Sequence, residues 1–179
     1  MSIAIRVAVP ADLPALFAYL GEQLAENGRD GAPLFQAMER TDAGVPPAMR
    51  ERFASGMATL PGQPLWRQVW IALDELGTIA GHVDLRGRTE PAARHRTLLG
   101  MGVRHDARRA GVGTQLVQTA LAWARSTGFD WVDLEVLSQN QQARALYART
   151  GFRVTGEVAD LYRIGGVQIG AVQMSFRLA

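Results

Sequence analysis

Cysteine is absent from the 179 residues, and so is lysine: all 19 basic residues are arginine. The first absence excludes thiol chemistry, from an acyl-cysteine intermediate to a disulfide framework or a thiolate-held metal centre. The second excludes a Schiff-base lysine and a P-loop, whose GxxxxGK[ST] pattern needs lysine to reach the phosphates. Charge of one sign is scarce as well. The 17 acidic residues leave a net charge of only +2, so a strongly cationic, nucleic-acid-binding surface is not expected. Long apolar runs are missing too: the opening MSIAIRVAVPADL has no basic stretch followed by an apolar one, and Ala110 to Ala124 is too short and too rich in Gly, Thr and Gln to span a bilayer. The expectation is a cytoplasmic protein with no membrane partner. The three histidines are scattered without metal-ligand spacing, so no metal is expected, and no GxSxG elbow surrounds any serine.

What is present suits one globular domain, residues 1–179, with 47% apolar residues and enough length to bury roughly 70% of the unfolded chain's surface. Ile3, Ile5, Val7 and Val9 alternate as in a strand, and Leu13, Leu16, Phe17, Leu20 and Leu24 then form one helical face that runs to about Asn27-Gly28. Residues 28–65 hold five of the eight prolines around a helix from Pro47 to about Thr59, and read as a variable segment on the substrate side or a surface excursion. Strands follow at Trp66–Leu73 and Thr78–Leu85 about an Asp74–Gly77 turn, and at Leu98–Val103, whose unbroken apolar character predicts burial on both faces. Helix (Gly111–Thr127), strand (Asp130–Leu137), helix (Gln141–Thr150) and a closing hairpin turning at Gly165-Gly166 complete the pattern. The fold class is therefore α/β: a central mixed, mostly antiparallel sheet with flanking helices.

The chemistry concentrates where Val103-Arg-His-Asp-Ala-Arg108-Arg109-Ala110-Gly111-Val112-Gly113-Thr114 joins a strand to an amphipathic helix. Glycines at a helix start let a ligand approach the backbone, and the first-turn N–H groups carry the positive end of the helix dipole, so the loop reads as a phosphate cradle. The same glycines would equally serve tight strand-to-helix packing. Seven of the 19 arginines fall between Arg86 and Arg109, which could add charge to the lip of the cradle or could simply be solvated. A dinucleotide fingerprint fits poorly, because Leu116 stands at the third small position of Gly111-Val-Gly113-Thr-Gln-Leu116.

Arg108-x-x-Gly111-x-Gly113 resembles the Q/R-x-x-G-x-G/A pyrophosphate loop of the GNAT superfamily of acyl-CoA-dependent N-acyltransferases. Met101-Gly102-Val103 before it, Leu134-x-Val136-x-x-x-Asn140 after it, and Ala143-x-x-Leu146-Tyr147-x-x-x-Gly151-Phe152 continue the resemblance in order across residues 97–155. The resemblance implies a GNAT-like fold and acetyl-CoA as co-substrate. It assigns the backbone of Met101, Gly102 and Val103 to the pantetheine arm and the thioester carbonyl, and Arg108, Arg109, Ala110, Gly111, Val112, Gly113 and Thr114 to the pyrophosphate. Asn140 would contact the cofactor or only cap the following helix, and Tyr147 would protonate the departing thiolate or only pack in the core.

Without cysteine, the simplest chemistry is direct attack of a bound amine on the thioester in a ternary complex, with the proton leaving to a base through water. Asp84 and Glu135 are the candidate bases, with His82 and Asp133 behind them, and none is diagnostically spaced. The acceptor is expected to be a small-molecule or protein amine entering between residues 28–65 and the closing hairpin; Glu39, Asp42, Asp84 and Glu135 would suit a cationic one. A catalytically inactive CoA-binding module is the alternative, and the final strand, Val167–Leu178, could pair across a homodimer.

Overall fold

The computed structural model describes residues 3–31 and 34–178; Met1, Ser2, Ala179 and two positions of the 28–65 segment, Ala32 and Pro33, lie outside. The strands are β1 (Ala4–Val7), β2 (Arg67–Leu73), β3 (Ile79–Gly87), β4 (Arg96–Val103), β5 (Trp131–Leu137), β6 (Arg153–Ile164) and β7 (Val167–Arg177); the helices are α1 (Leu13–Glu26), α2 (Pro47–Met57), α3 (Val112–Ser126) and α4 (Gln141–Arg149). All seven strands lie in one sheet in the order β1-β2-β3-β4-β5-β7-β6.

Each helix follows from its apolar spacing. α1 starts where Asp12 accepts the Val9 N–H at 2.8 Å and both guanidinium nitrogens of Arg6 at 2.7 Å. The Arg6 hydrogen bonds hold the Asp12 carboxyl down at about 2. α1 buries Leu16, Leu20 and Leu24 with α2's Phe53 against Val69, Ile71 and Ile79 on one face of the sheet. α3 buries Leu116, Val117, Ala120, Leu121 and Ala124 on the other, where Trp123 meets Trp66 and Trp70 with ring centroids 5.7 and 5.3 Å apart. Burying such a leucine or valine stabilises by about 1.5–3 kcal/mol.

Only one neighbouring pair of strands is parallel. β4 and β5 pair at Arg96–Trp131, Thr97–Val132 and Leu98–Asp133, and there the ladder stops, although β4 stays paired with β3 as far as Val103 and β5 with β7 as far as Leu137. The two strands part like a V. This corrects the expected burial of Leu98–Val103 on both faces: Leu99 is buried, while Leu98 and residues 100–103 are half-buried, because on the β5 side no strand is paired with the second half of β4. Val7 and Val9 likewise do not join the core, at 45% and 49% exposure, since β1 is an edge strand. β7 is paired on both edges within the chain, so it is not free to pair across a dimer; the free edges belong to β1 and β6.

The vertex of the V is held by charge. Asp133, 6% exposed, accepts Arg96 Nε and Nη2 at 2.8 and 2.6 Å, Arg88 Nη2 at 2.7 Å and Ser175 Oγ at 2.7 Å. Burial by itself would raise this carboxyl, but the hydrogen bonds from Arg96, Ser175 and Arg88 outweigh it and hold it below its ordinary value. A depressed folded-state pKa means that the stabilisation is complete above the unfolded carboxylate value near 4 and is lost as pH falls through the lower folded value. Asp133→Ala, which strands two guanidiniums, is expected to cost about 3–5 kcal/mol in urea unfolding. Over pH 5 to 2 the variant should lose less stability than the parent.

Candidate active site

The open half of the V collects the chain's chemical features because α3 and α4 both begin at the carboxyl ends of the parallel strands, where ligands sit in open α/β sheets. Arg104 donates its N–H to Ala80 O at 2.8 Å. Antiparallel alternation then turns Gly100 and Gly102 toward β3 as well, and Met101 and Val103 toward the gap. The Val103 carbonyl is taken there by Arg108 Nε at 3.0 Å. Met101, by contrast, presents its N–H and C=O to the gap with no backbone partner among the described residues.

Beyond β4 the chain turns tightly into α3. Arg109 has φ +63° and Gly111 φ +82°, the left-handed conformation, with Gly111 as the N-cap residue. Alternating left- and right-handed residues turn successive N–H groups inward, the geometry of an anion-binding nest, and the N–H groups of Val112, Gly113 and Thr114 have no acceptor within the helix. Arg109, Ala110 and Gly111 are exposed, and Gly113 and Thr114 half-buried. Gly113 also has a packing role, since a Cβ there would stand 3.0 Å from Leu146 Cδ2 of α4 and 3.4 Å from Met101 Cε. Arg108 is turned away from the nest: besides Val103 it meets Glu26 at 3.6 Å.

Across the V, Asn140 caps α4 by accepting the Ala143 N–H at 3.2 Å. Tyr147 is 7% exposed, edge-on to Phe152 at 5.7 Å, and its hydroxyl has no hydrogen-bond partner among the described residues. Burial pushes that phenol well up, with a smaller push from the Asp84 charge.

The opposite face of the sheet carries the remaining candidates. Asp84 is 3% exposed, held by Arg67 Nη1 and Arg86 Nη1, each at 3.1 Å. Glu135 is exposed on β5 past the last parallel rung and accepts the Tyr162 hydroxyl, a bond that raises the Tyr162 phenol to about 12. His82 lies buried against Tyr19, Nδ1 to hydroxyl 3.4 Å, and burial drops its imidazole to about 4, so it is neutral at physiological pH. Among the described residues no group of His, Asp and Glu could hold a metal ion.

Sequence reasoning missed one residue altogether. Asn27, 1% exposed, accepts the N–H groups of Phe35 and Gln36 at 2.9 and 3.1 Å and donates to the carbonyls of Gln36 and Met38 at 3.2 and 2.8 Å. Its far side is clipped too: Glu39 Oε1 accepts the Gly165 N–H at 2.8 Å, and Leu34 packs on Leu137, Ile164 and Ile169. Residues 34–39 thus run from the end of α1 to the β6–β7 turn and form a rim beside the V. Its only sequence signal was an Asn-Gly pair, which reads as a helix end. Asn27→Ala would leave four backbone groups without partners, each costing about 1–3 kcal/mol if it stays buried. Amide exchange at Phe35 and Gln36 should accelerate at least tenfold.

Comparison with known proteins agrees with this geometry. The sequence profile of the acetyltransferase (GNAT) family matches residues 40–152. Over 95 residues the chain is 34% identical to N-acetyltransferase family 8 member 3 of Mus musculus, a stretch that covers 52% of this chain and 42% of that protein; the chain spans less than half the length of that relative. In three dimensions it superposes on a GNAT-family acetyltransferase from Streptococcus pneumoniae with TM-score 0.82 at 24% identity, over 99% of this chain and 100% of that one. It also superposes on a GNAT superfamily phosphinothricin acetyltransferase from Sinorhizobium meliloti in complex with acetyl-CoA, with TM-score 0.81 at 21% identity, over 100% and 90% of the two chains. With the profile matching well over half of its length, the chain belongs to the acetyltransferase (GNAT) family.

Proposed function

We propose that this protein transfers the acetyl group of acetyl-CoA to a primary amine by direct attack in a ternary complex. The observation that carries the reading is the parting of β4 and β5 beside a nest of free N–H groups at the start of α3. A slot with an unpaired peptide edge suits an amide-bearing arm, and a nest suits a pyrophosphate. The acetyl-CoA complex of the Sinorhizobium meliloti neighbour supports the same co-substrate. No described helix is long and apolar enough to cross a membrane; a cytoplasmic setting and a single domain over residues 1–179 are part of this proposal.

In this mechanism Arg109 to Thr114 bind the pyrophosphate through backbone N–H groups, and the Met101 N–H faces the thioester carbonyl oxygen, where negative charge grows as the amine attacks. The new C–N bond forms as the C–S bond breaks. Tyr147 gives its proton to the departing thiolate; the phenol is neutral at physiological pH even unperturbed, and because burial raises it further the role rests on position rather than on enhanced acidity. Glu135 takes the proton lost by the amine, through water. Of the two carboxylates it is the accessible one, whereas Asp84 is occupied by two guanidiniums. Asn140 borders the slot at the α4 N-terminus, with its side-chain carbonyl committed to the cap.

Acetyl-CoA at about 100 times its Kd should stabilise the fold by about 2.7 kcal/mol, a rise of several degrees in Tm that NAD does not produce. Gly111→Val, which cannot hold φ +82° without strain, should weaken acetyl-CoA at least tenfold in calorimetry while unfolding stays cooperative. Tyr147→Phe should lower kcat about tenfold to a hundredfold with acetyl-CoA affinity retained. Equal turnover would assign the ring to packing, and a Tm shift with no turnover on any amine would leave a CoA-binding module.

A further inference from the structure

The acidic side chains that would suit a cationic acceptor are committed elsewhere. Glu39 holds the Gly165 N–H, Glu135 the Tyr162 hydroxyl, and Asp84 two guanidiniums; Asp42 lies 75% exposed, 4.0 Å from Arg40. What faces the vertex of the V on the side of α1 and α2 is positive. Arg67 and Arg86 share the single charge of Asp84, leaving one positive charge over. Arg67 is nearly buried, its side chain 11% exposed and its guanidinium stacked 4.0 Å from the Phe53 ring. Each of the two guanidiniums spends one N–H on Asp84, and no other hydrogen bond of theirs exists among the described residues, out of five donors apiece. Burial lowers the Arg67 pKa, yet an arginine stays protonated, so its unspent donors ask for an anion.

Their position is as telling as their charge. The Asp84–Gly100 pair is the second row beyond the Arg86–Leu98 row, where the β4–β5 ladder ends, and the first whose side chains share its face. A Cβ on Gly100 would lie 2.9 Å from Arg86 Nη1 and 2.9 Å from Asp84 Oδ1. The Arg86 guanidinium therefore rests on bare backbone one residue from Met101. The neighbouring pair, Arg88 and Arg96, belongs to the closed half of the V: Arg96 grips both oxygens of Asp133 on the last parallel rung and Arg88 adds a third bond, with Arg88 Nε left buried without a partner among the described residues.

We infer that the acceptor is an amine that also carries a carboxylate, a small molecule of the amino-acid type. Its carboxylate is held by Arg86 and Arg67 with Asp84 fixing both guanidiniums, and its amine is turned to the open edge of β4. The inference rests on the acetyl-transfer reading and names the substrate class for that site.

The test is acetyl transfer from acetyl-CoA to the proteinogenic amino acids, each beside its α-carboxamide, followed by release of CoA thiol; a chain without cysteine adds no background to a thiol reagent. The amide's amine is the less basic and so the more abundant free base, which sets a stringent control. The expected result is at least one amino acid with kcat/KM tenfold or more above that of its amide. Arg86→Gln should bring that ratio toward one, with Arg86→Lys between, and both variants should keep the Tm rise with acetyl-CoA as proof of folding. Equal or better turnover of the amides, a ratio indifferent to Arg86→Gln, or no turnover of either set while acetyl-CoA still raises Tm would each overturn the carboxylate site. Absence of both the Tm rise and turnover would instead overturn the acetyl-transfer reading beneath it.

Discussion

A single three-residue parallel ladder between β4 and β5 governs the rest of this structure. Every other neighbouring pair in the sheet is antiparallel, and each of the two strands is paired along its outer edge, so backbone hydrogen bonding draws them apart once the ladder ends. A peptide edge without a partner normally costs free energy when buried. Here it is tolerated because the gap leaves residues 100–103 half-buried and within reach of water or of a substrate arm. The same parting sets α3 and α4 on either side of one opening, with Leu146 against Gly113 where they approach.

The charge economy follows from the vertex. With no lysine available, each buried carboxylate on the floor of the sheet is shared by two arginines, Asp133 by Arg88 and Arg96 and Asp84 by Arg67 and Arg86. Guanidinium suits that work: it is planar, stays charged when partly buried, and forks onto a carboxylate as Arg96 does on Asp133. One triad closes the strands. The other lies two rows further on, beside the unpaired edge of β4. Two arrangements of the same composition thus divide into a structural lock and a candidate binding site through their register alone.

Much of this was legible in sequence. The α3 stripe from Leu116 to Ala124, the alternation of β2 and β3 about Asp74–Gly77, and the Gly165-Gly166 turn are local patterns, and each element formed within a few residues of its expected ends. The glycine loop from Arg109 to Thr114 was equally readable, because positive φ and helix-start N–H groups are properties of neighbouring residues. Asn27 was not, since its four partners lie 8 to 11 residues away in an irregular segment. Nor was the fate of Arg108, which reads as a loop cation and turns back to Val103 and Glu26.

The sequence by itself determined the family and the order of the elements: the ordered motifs from Met101 to Phe152 carry the GNAT resemblance, and absent cysteine excludes an acyl-cysteine route. Only the tertiary structure decided which side chains share a site. Arg67, Asp84 and Gly100 are distant in the chain and meet through strand register, and Glu39 meets Gly165 across 126 residues. Local periodicity reports which face of an element is apolar, whereas the pairing of strands far apart in sequence sets which polar groups lose water together, and with which partners.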